Sequence, residues 1–148
     1  MPENRPHITV ATVVERSGQL LMVQEQADGH LVYNQPAGHL EPGETLLAAA
    51  VRETLEETAW EVEVTALLGI YAYTSTTNGI SYVRHCFIAT PLRERNDRQL
   101  DKDIVAALWL SPVEIEQRRQ ALRSPLVYAA VQDYLRGVRH PLDLISEF

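Results

Sequence analysis

Apolar positions near the start of the chain fall in short runs of the kind that strands make. Residues 7–15 (HITVATVVE) and 19–26 (QLLMVQEQ) are rich in Val, Ile, Thr and Leu, and Ser17-Gly18 between them is a tight-turn signal, so a hairpin is predicted. The first run is apolar at Val10, Ala11, Val13 and Val14, on both faces, as in a strand covered on both sides. Leu31-Val32-Tyr33 is a short extended piece. Residues 45–58 contain no helix breaker, and Thr45 suits the N-cap. Residues 61–73 and 80–90 are β-branched and aromatic and are joined by TSTTNG, while 91–103 is charged and reads as a surface loop. A last short strand is predicted over 106–110. Ser111-Pro112 and Ser124-Pro125 each place an N-cap before a proline at the first helical position, giving a helix of about ten residues and another ending near Gly137.

The order β-β-(short β)-α-β-β-β-α-α includes hairpins and so excludes a purely parallel sheet. It predicts an α/β/α sandwich with a mixed β-sheet and helices on both faces. With 148 residues and no repeat, linker or low-complexity tract, a single domain is expected over 1–148, residues 1–6 forming a loose tail.

The helix at 45–58 carries chemistry. At about 100° per residue, Glu53, Glu56 and Glu57 share one arc, with Leu47, Val51 and Leu55 forming an aliphatic stripe on nearly the opposite side. Like charges at that spacing repel unless a cation gathers them. Hard carboxylate oxygens suit Mg²⁺, with Mn²⁺ as a substitute.

Composition narrows the ligand. A net charge of −7 argues against a nucleic-acid polymer but leaves room for a small phosphorylated substrate bound through divalent metal. Cys86 is the one cysteine, which excludes an internal disulfide and reads as a small buried hydrophobe. No apolar leader or spanning run is present, so a cytoplasmic protein with no membrane partner is expected, as monomer or homodimer.

Gly38, five residues, Glu44, seven residues, Arg52-Glu53, two residues and Glu56-Glu57 resemble the Nudix box, G-x5-E-x7-R-E-U-x-E-E-x-G-U with U a bulky apolar residue. Two positions depart from it. Thr54 stands at the first U, where its methyl can pack, and Ala59 replaces the closing glycine. A left-handed helix end costs an L-residue about 1 kcal/mol, so the helix is expected to end differently or run slightly further, without moving Glu56 or Glu57.

The resemblance implies a Nudix fold and a metal-dependent hydrolase of phosphoanhydrides. Glu53, Glu56 and Glu57 would be metal ligands, joined by the main-chain carbonyl of Gly38. Arg52 would hold Glu53, and Glu44 would be an outer ligand or a brace. Glu53 is the first choice as general base; Asp101 and Asp103 are candidates outside the box, with Asp103 preferred. Segments beyond the box (NQPAGHLE, LRSPLV, HPLDLISEF) resemble the NudJ-type bacterial phosphatases of the family. That likeness implies Mg²⁺-dependent hydrolysis of hydroxymethylpyrimidine pyrophosphate, thiamine pyrophosphate and nucleoside tri- or diphosphates with release of phosphate. Alternatives are a hydrolase of another nucleoside diphosphate derivative, such as ADP-ribose, or a non-catalytic binding module.

On the substrate side, Tyr33 could stack on a heterocyclic base. His39 could contact phosphate. Arg84, a lone cation in an apolar strand, needs an anion to meet, and Arg123 could reach inward.

Overall fold

The computed structural model describes residues 4–148. Residues 1–3 of the tail expected over 1–6 lie outside that range, and 4–6 are exposed ahead of the first strand. The elements are β1 (His7–Arg16), β2 (Gln19–Ala27), β3 (His30–Asn34), β4 (Ala37–His39), α1 (Leu46–Thr58), β5 (Trp60–Thr74), β6 (Ser81–Glu94), β7 (Ile104–Leu110), α2 (Pro112–Gln117) and α3 (Pro125–Leu135). Single 3₁₀ turns follow α2 at Arg119–Ala121 and α3 at Leu142–Leu144. Among the described residues no helix is long and apolar enough to cross a membrane.

The fold is an α/β sandwich around a mixed sheet of order β3-β2-β1-β6-β5, with β4 added on β1 and β7 on β2. The hairpin turns at Ser17-Gly18, both at positive φ. β1 and β2 pair only beside that turn, Glu15 with Leu20 and Arg16 with Gln19. Beyond it they part. β1 runs parallel to β6 from His7↔Tyr82 to Val14↔Ala89, whereas β2 pairs with β3 and β7. The gap between the two halves becomes the cleft.

β1 explains its own two-sided apolarity. Ala11 and Val13 pack with Cys86, Ile88, Val127, Ala130 and Val131 under α3, while Val10 and Val14 face the layer of α1. Ser111 closes a capping box with Glu114 at the start of α2, and Ser124 caps α3.

Three expectations for local structure need correction. β6 extends through Pro91 to Glu94, so the first four residues of the predicted loop are strand; the proline sits at a register shift opposite Val62, where a ladder donor is dispensable. The stripe that α1 buries is small rather than aliphatic: Ala49, Ala50, Thr54, Glu57 and Thr58 are buried, and Leu47, Val51 and Leu55 lie at its margins. Small residues bring the helix close to the sheet. Thr54 then donates to the carbonyl of Ala50 at 2.7 Å and meets the hydroxyl of Thr12 on β1, also at 2.7 Å.

The third correction concerns Ala59. It adopts the left-handed conformation (φ 65°, ψ 15°) that a glycine would take, and its N–H bonds the Leu55 carbonyl at 2.9 Å. Its methyl is buried and its carbonyl accepts from Arg95 N at 2.7 Å. Burying a methyl is worth about 0.8 kcal/mol, which offsets most of the left-handed cost.

Candidate functional site

Arg52 organises the acidic face of α1. Its Nε and Nη2 bind the two oxygens of Glu44 at 2.6 and 2.9 Å, and Nη1 reaches Glu53 Oε1 at 2.7 Å and Glu56 Oε1 at 3.0 Å. Nη2 also donates to the carbonyl of His39 at 3.1 Å. One planar guanidinium with five donors can serve so many partners because their positions are fixed. Glu44 in turn accepts from Glu41 N at 3.1 Å, so it braces the Glu41-Pro42-Gly43-Glu44 turn against the helix. These contacts hold the Glu44 carboxyl below its ordinary range and the Arg52 guanidinium above its own.

Glu53, Glu56 and Asp101 each bring one carboxylate oxygen to within 4.8 Å of the others. Asp101 arrives because the loop after β6 is tied to the last turn of α1 by Arg95 N to Ala59 O at 2.7 Å and Asp101 N to Glu56 O at 3.1 Å. Glu57 stands deeper, 9% exposed, accepting from Ala37 N at 3.0 Å. Burial pushes its carboxyl up to about 8, with Glu25, Glu53 and Asp101 acting in the same direction. Burial also raises the Glu53 carboxyl, against the pull of Arg52.

Gly38 lies against Glu53. A Cβ at position 38 would collide with the Glu53 carboxylate, so β4 can approach the helix this closely only with glycine there. A bare backbone, hard oxygen donors and carboxyls that burial leaves reluctant to ionise alone together fit a divalent cation. Glu53, Glu56, Glu57 and Asp101 could hold it, with the Gly38 carbonyl alongside.

An open cleft of about 1000 Å³ begins at this cluster and runs between the diverging halves of the sheet. Gly38, His39, Glu53, Glu57, Arg84 and Arg123 all line it. Arg84 is 8% exposed; among the described residues it meets only neutral oxygens, Asn34 Oδ1 at 3.3 Å and Gln35 Oε1 at 3.1 Å, and its Nε has no partner. Arg123 pairs with Glu25 at 3.0 Å. His39 is engaged by His7, ring nitrogen to ring nitrogen at 2.9 Å, and burial lowers its pKa.

Two expectations fail on placement. Tyr33 does not line the cleft: strand alternation turns Val32 and Asn34 toward it and Tyr33 away, where its hydroxyl accepts from Gln24 Nε2 at 3.1 Å and Arg118 lies over its ring. Asp103 is not the outside acid beside the helix. Its carbonyl receives Gln26 N at 3.0 Å at the start of β7, and Asp101 takes the place at the cluster.

Sequence reasoning missed Glu25. It sits in a polar-looking strand end, QEQ, yet is 6% exposed and lines the cleft. The register shift between Gln24 and Glu25 on the β7 side re-aims that stretch of strand, and no local sequence signal announces it.

The NUDIX domain model matches residues 4–131, and the chain belongs to the Nudix family. It is a hydrolase of that family, acting on phosphoanhydride bonds. It is similar to Phosphatase NudJ of Escherichia coli (strain K12), 37% identical over 144 residues that cover 97% of this chain and 93% of that one. Among solved structures, a NUDIX hydrolase from Nitrosomonas europaea superposes with a TM-score of 0.95 at 41% identity, covering 97% of this chain and 98% of the other. The MutT protein from Methanosarcina mazei Go1 shares the fold, with a TM-score of 0.72 at 17% identity over 90% of this chain and 97% of that one.

Proposed function

We propose that this chain, working as one domain, is a Mg²⁺-dependent phosphatase of small organic pyrophosphates. Its substrates are hydroxymethylpyrimidine pyrophosphate, thiamine pyrophosphate and nucleoside tri- and diphosphates, from which it releases phosphate. Mn²⁺ can substitute for Mg²⁺. The observation that carries the reading is the Gly38–Glu53 contact beside Glu56, Glu57 and Asp101, which opens directly into a cleft backed by the buried Arg84. The substrate range is supported by the likeness to Phosphatase NudJ over nearly the whole of both chains.

A bound divalent cation would neutralise phosphate oxygens and lower the pKa of a water. The chain's own residues do the rest. Arg52 holds Glu53 Oε1 at 2.7 Å, and the Glu53 carboxylate so fixed is the group that accepts the proton of the attacking water. Glu44 and Arg52 hold the carboxylates in place. Arg84, which meets no acid directly among the described residues, attracts the phosphate end of the substrate into the cleft.

The test is a panel of those pyrophosphates and ADP-ribose, incubated with Mg²⁺ while phosphate and pyrophosphate are measured separately. Phosphate release from the triphosphates is expected. Pyrophosphate as the product, or ADP-ribose turned over faster than the rest, would contradict the reading.

A further inference from the structure

Behind the acidic cluster lies a chain of polar groups with one loose end. Arg84 Nη1 donates to Asn34 Oδ1 and Gln35 Oε1, and Gln35 Nε2 donates to the Val127 carbonyl at 2.9 Å. The Asn34 amide is thereby oriented, its oxygen toward Arg84 and its Nδ2 toward Glu25 Oε1 at 3.2 Å. Arg123 binds the same oxygen at 3.0 Å. Both of these contacts on Glu25 therefore fall on Oε1, one from the oriented Asn34 amide and one from Arg123. Arg123 is fixed at its backbone, where its N–H donates to the Tyr33 carbonyl at 2.8 Å.

Glu25 is thus a buried carboxylate in the lining of the cleft, held at Oε1 and with no hydrogen bond or ion pair to Oε2 among the described residues. An ionised carboxylate only accepts hydrogen bonds, so it selects ligands by the donors they carry. It stands in the same cleft as the metal-binding carboxylates, which would take the phosphate end of a ligand. We propose that Glu25 reads the heterocyclic end of the substrate, accepting a hydrogen bond at Oε2 from an exocyclic amino group, so that the cleft favours 4-aminopyrimidines over 4-oxopyrimidines. The proposal rests on the reading above that a small phosphorylated heterocycle occupies the cleft. A carbonyl in place of the amino group would set two acceptors against each other and leave the buried oxygen unpaired, a mismatch that costs at least about 10-fold in binding.

The experiment is calorimetric binding of CMP and UMP, with Mg²⁺ present, to the wild type and to Glu25→Gln. Neither ligand contains a phosphoanhydride, so the result stands whether or not the protein turns over any pyrophosphate; failure of turnover would sink the proposed function alone. The wild type should bind CMP at least about 10-fold more tightly than UMP, and Glu25→Gln, which can turn a donor to the carbonyl, should erase or invert the ratio. A structural role for Glu25 would weaken both ligands together. Equal binding of the two by the wild type, an unchanged ratio in Glu25→Gln, or binding of neither would overturn the proposal. If the variant does not fold, AMP against IMP in the wild type repeats the amino-to-oxo comparison, and a ratio near one there is equally fatal.

Discussion

Gly38 and the carboxylate of Glu53 touch, backbone against side chain, with no room between them for even a methyl group. This contact joins β4 to α1 and sets where the Glu53 carboxylate lies. Replacing Gly38 by Ala should displace Glu53 and lower kcat/KM by at least about 100-fold, since a shift of about 1 Å in a reacting group has that effect. Folding should survive, because the strain is relieved by moving one side chain. Steady-state kinetics with a thermal melt on the same sample checks both halves.

Arg52 bridges Glu44, Glu53 and Glu56 with a single positive charge. Arg52→Lys keeps the charge but not the fork, so it should leave at least one acid unpaired and cost about 1–3 kcal/mol of stability in metal-free protein. Divalent cation should recover part of that loss, because it gathers the same carboxylates. Urea unfolding with and without Mg²⁺ measures the difference.

Glu57 links stability to pH. Its folded value of about 8 lies above the ordinary 4.5, so between those values the native metal-free protein holds more protons than the unfolded chain. Stability should therefore be fullest below about pH 4.5, as far as this group contributes, and fall as pH rises through about 8. Glu57→Gln should flatten that slope. Added Mg²⁺ should reverse it, since the ion binds the ionised carboxylate. Melting temperature against pH, with and without chelator, reads all three.

Thr54 occupies an apolar position of the box and satisfies itself through Ala50 and Thr12. Thr54→Val should strand the Thr12 hydroxyl and destabilise by about 1–3 kcal/mol, whereas Thr12→Val with Thr54→Val should recover much of it. A double-mutant cycle in urea supplies the coupling.

How much of this was legible depended on whether a feature is local. The hairpin at Ser17-Gly18, the cap at Thr45 and the Ser-Pro starts of α2 and α3 are written in neighbouring residues, and all three helices appear where those signals fall. The box spacing gave the carboxylate face of α1 and the glycine it touches. What escaped was non-local. The parallel pairing of β1 with β6 joins residues more than 70 positions apart, and it fixes which way Arg84 faces. Asp101 rather than Asp103 reaches the cluster because of two backbone bonds to α1, and Tyr33 turns away because β3 pairs with β2 in one register and not its neighbour. Ala59 ends α1 as glycine would because its methyl is buried by surroundings that the sequence alone does not display.

The central claim is that the acids gathered at Gly38 bind a divalent cation and that this drives hydrolysis. Phosphate release from a nucleoside triphosphate, followed as Mg²⁺ is titrated into chelator-treated wild type and Glu57→Gln, tests it most directly. Release should rise from nothing to saturation in the wild type and fall by about 1000-fold or more in the variant at every Mg²⁺ concentration. Release that ignores Mg²⁺, or a variant that matches the wild type, would contradict the account.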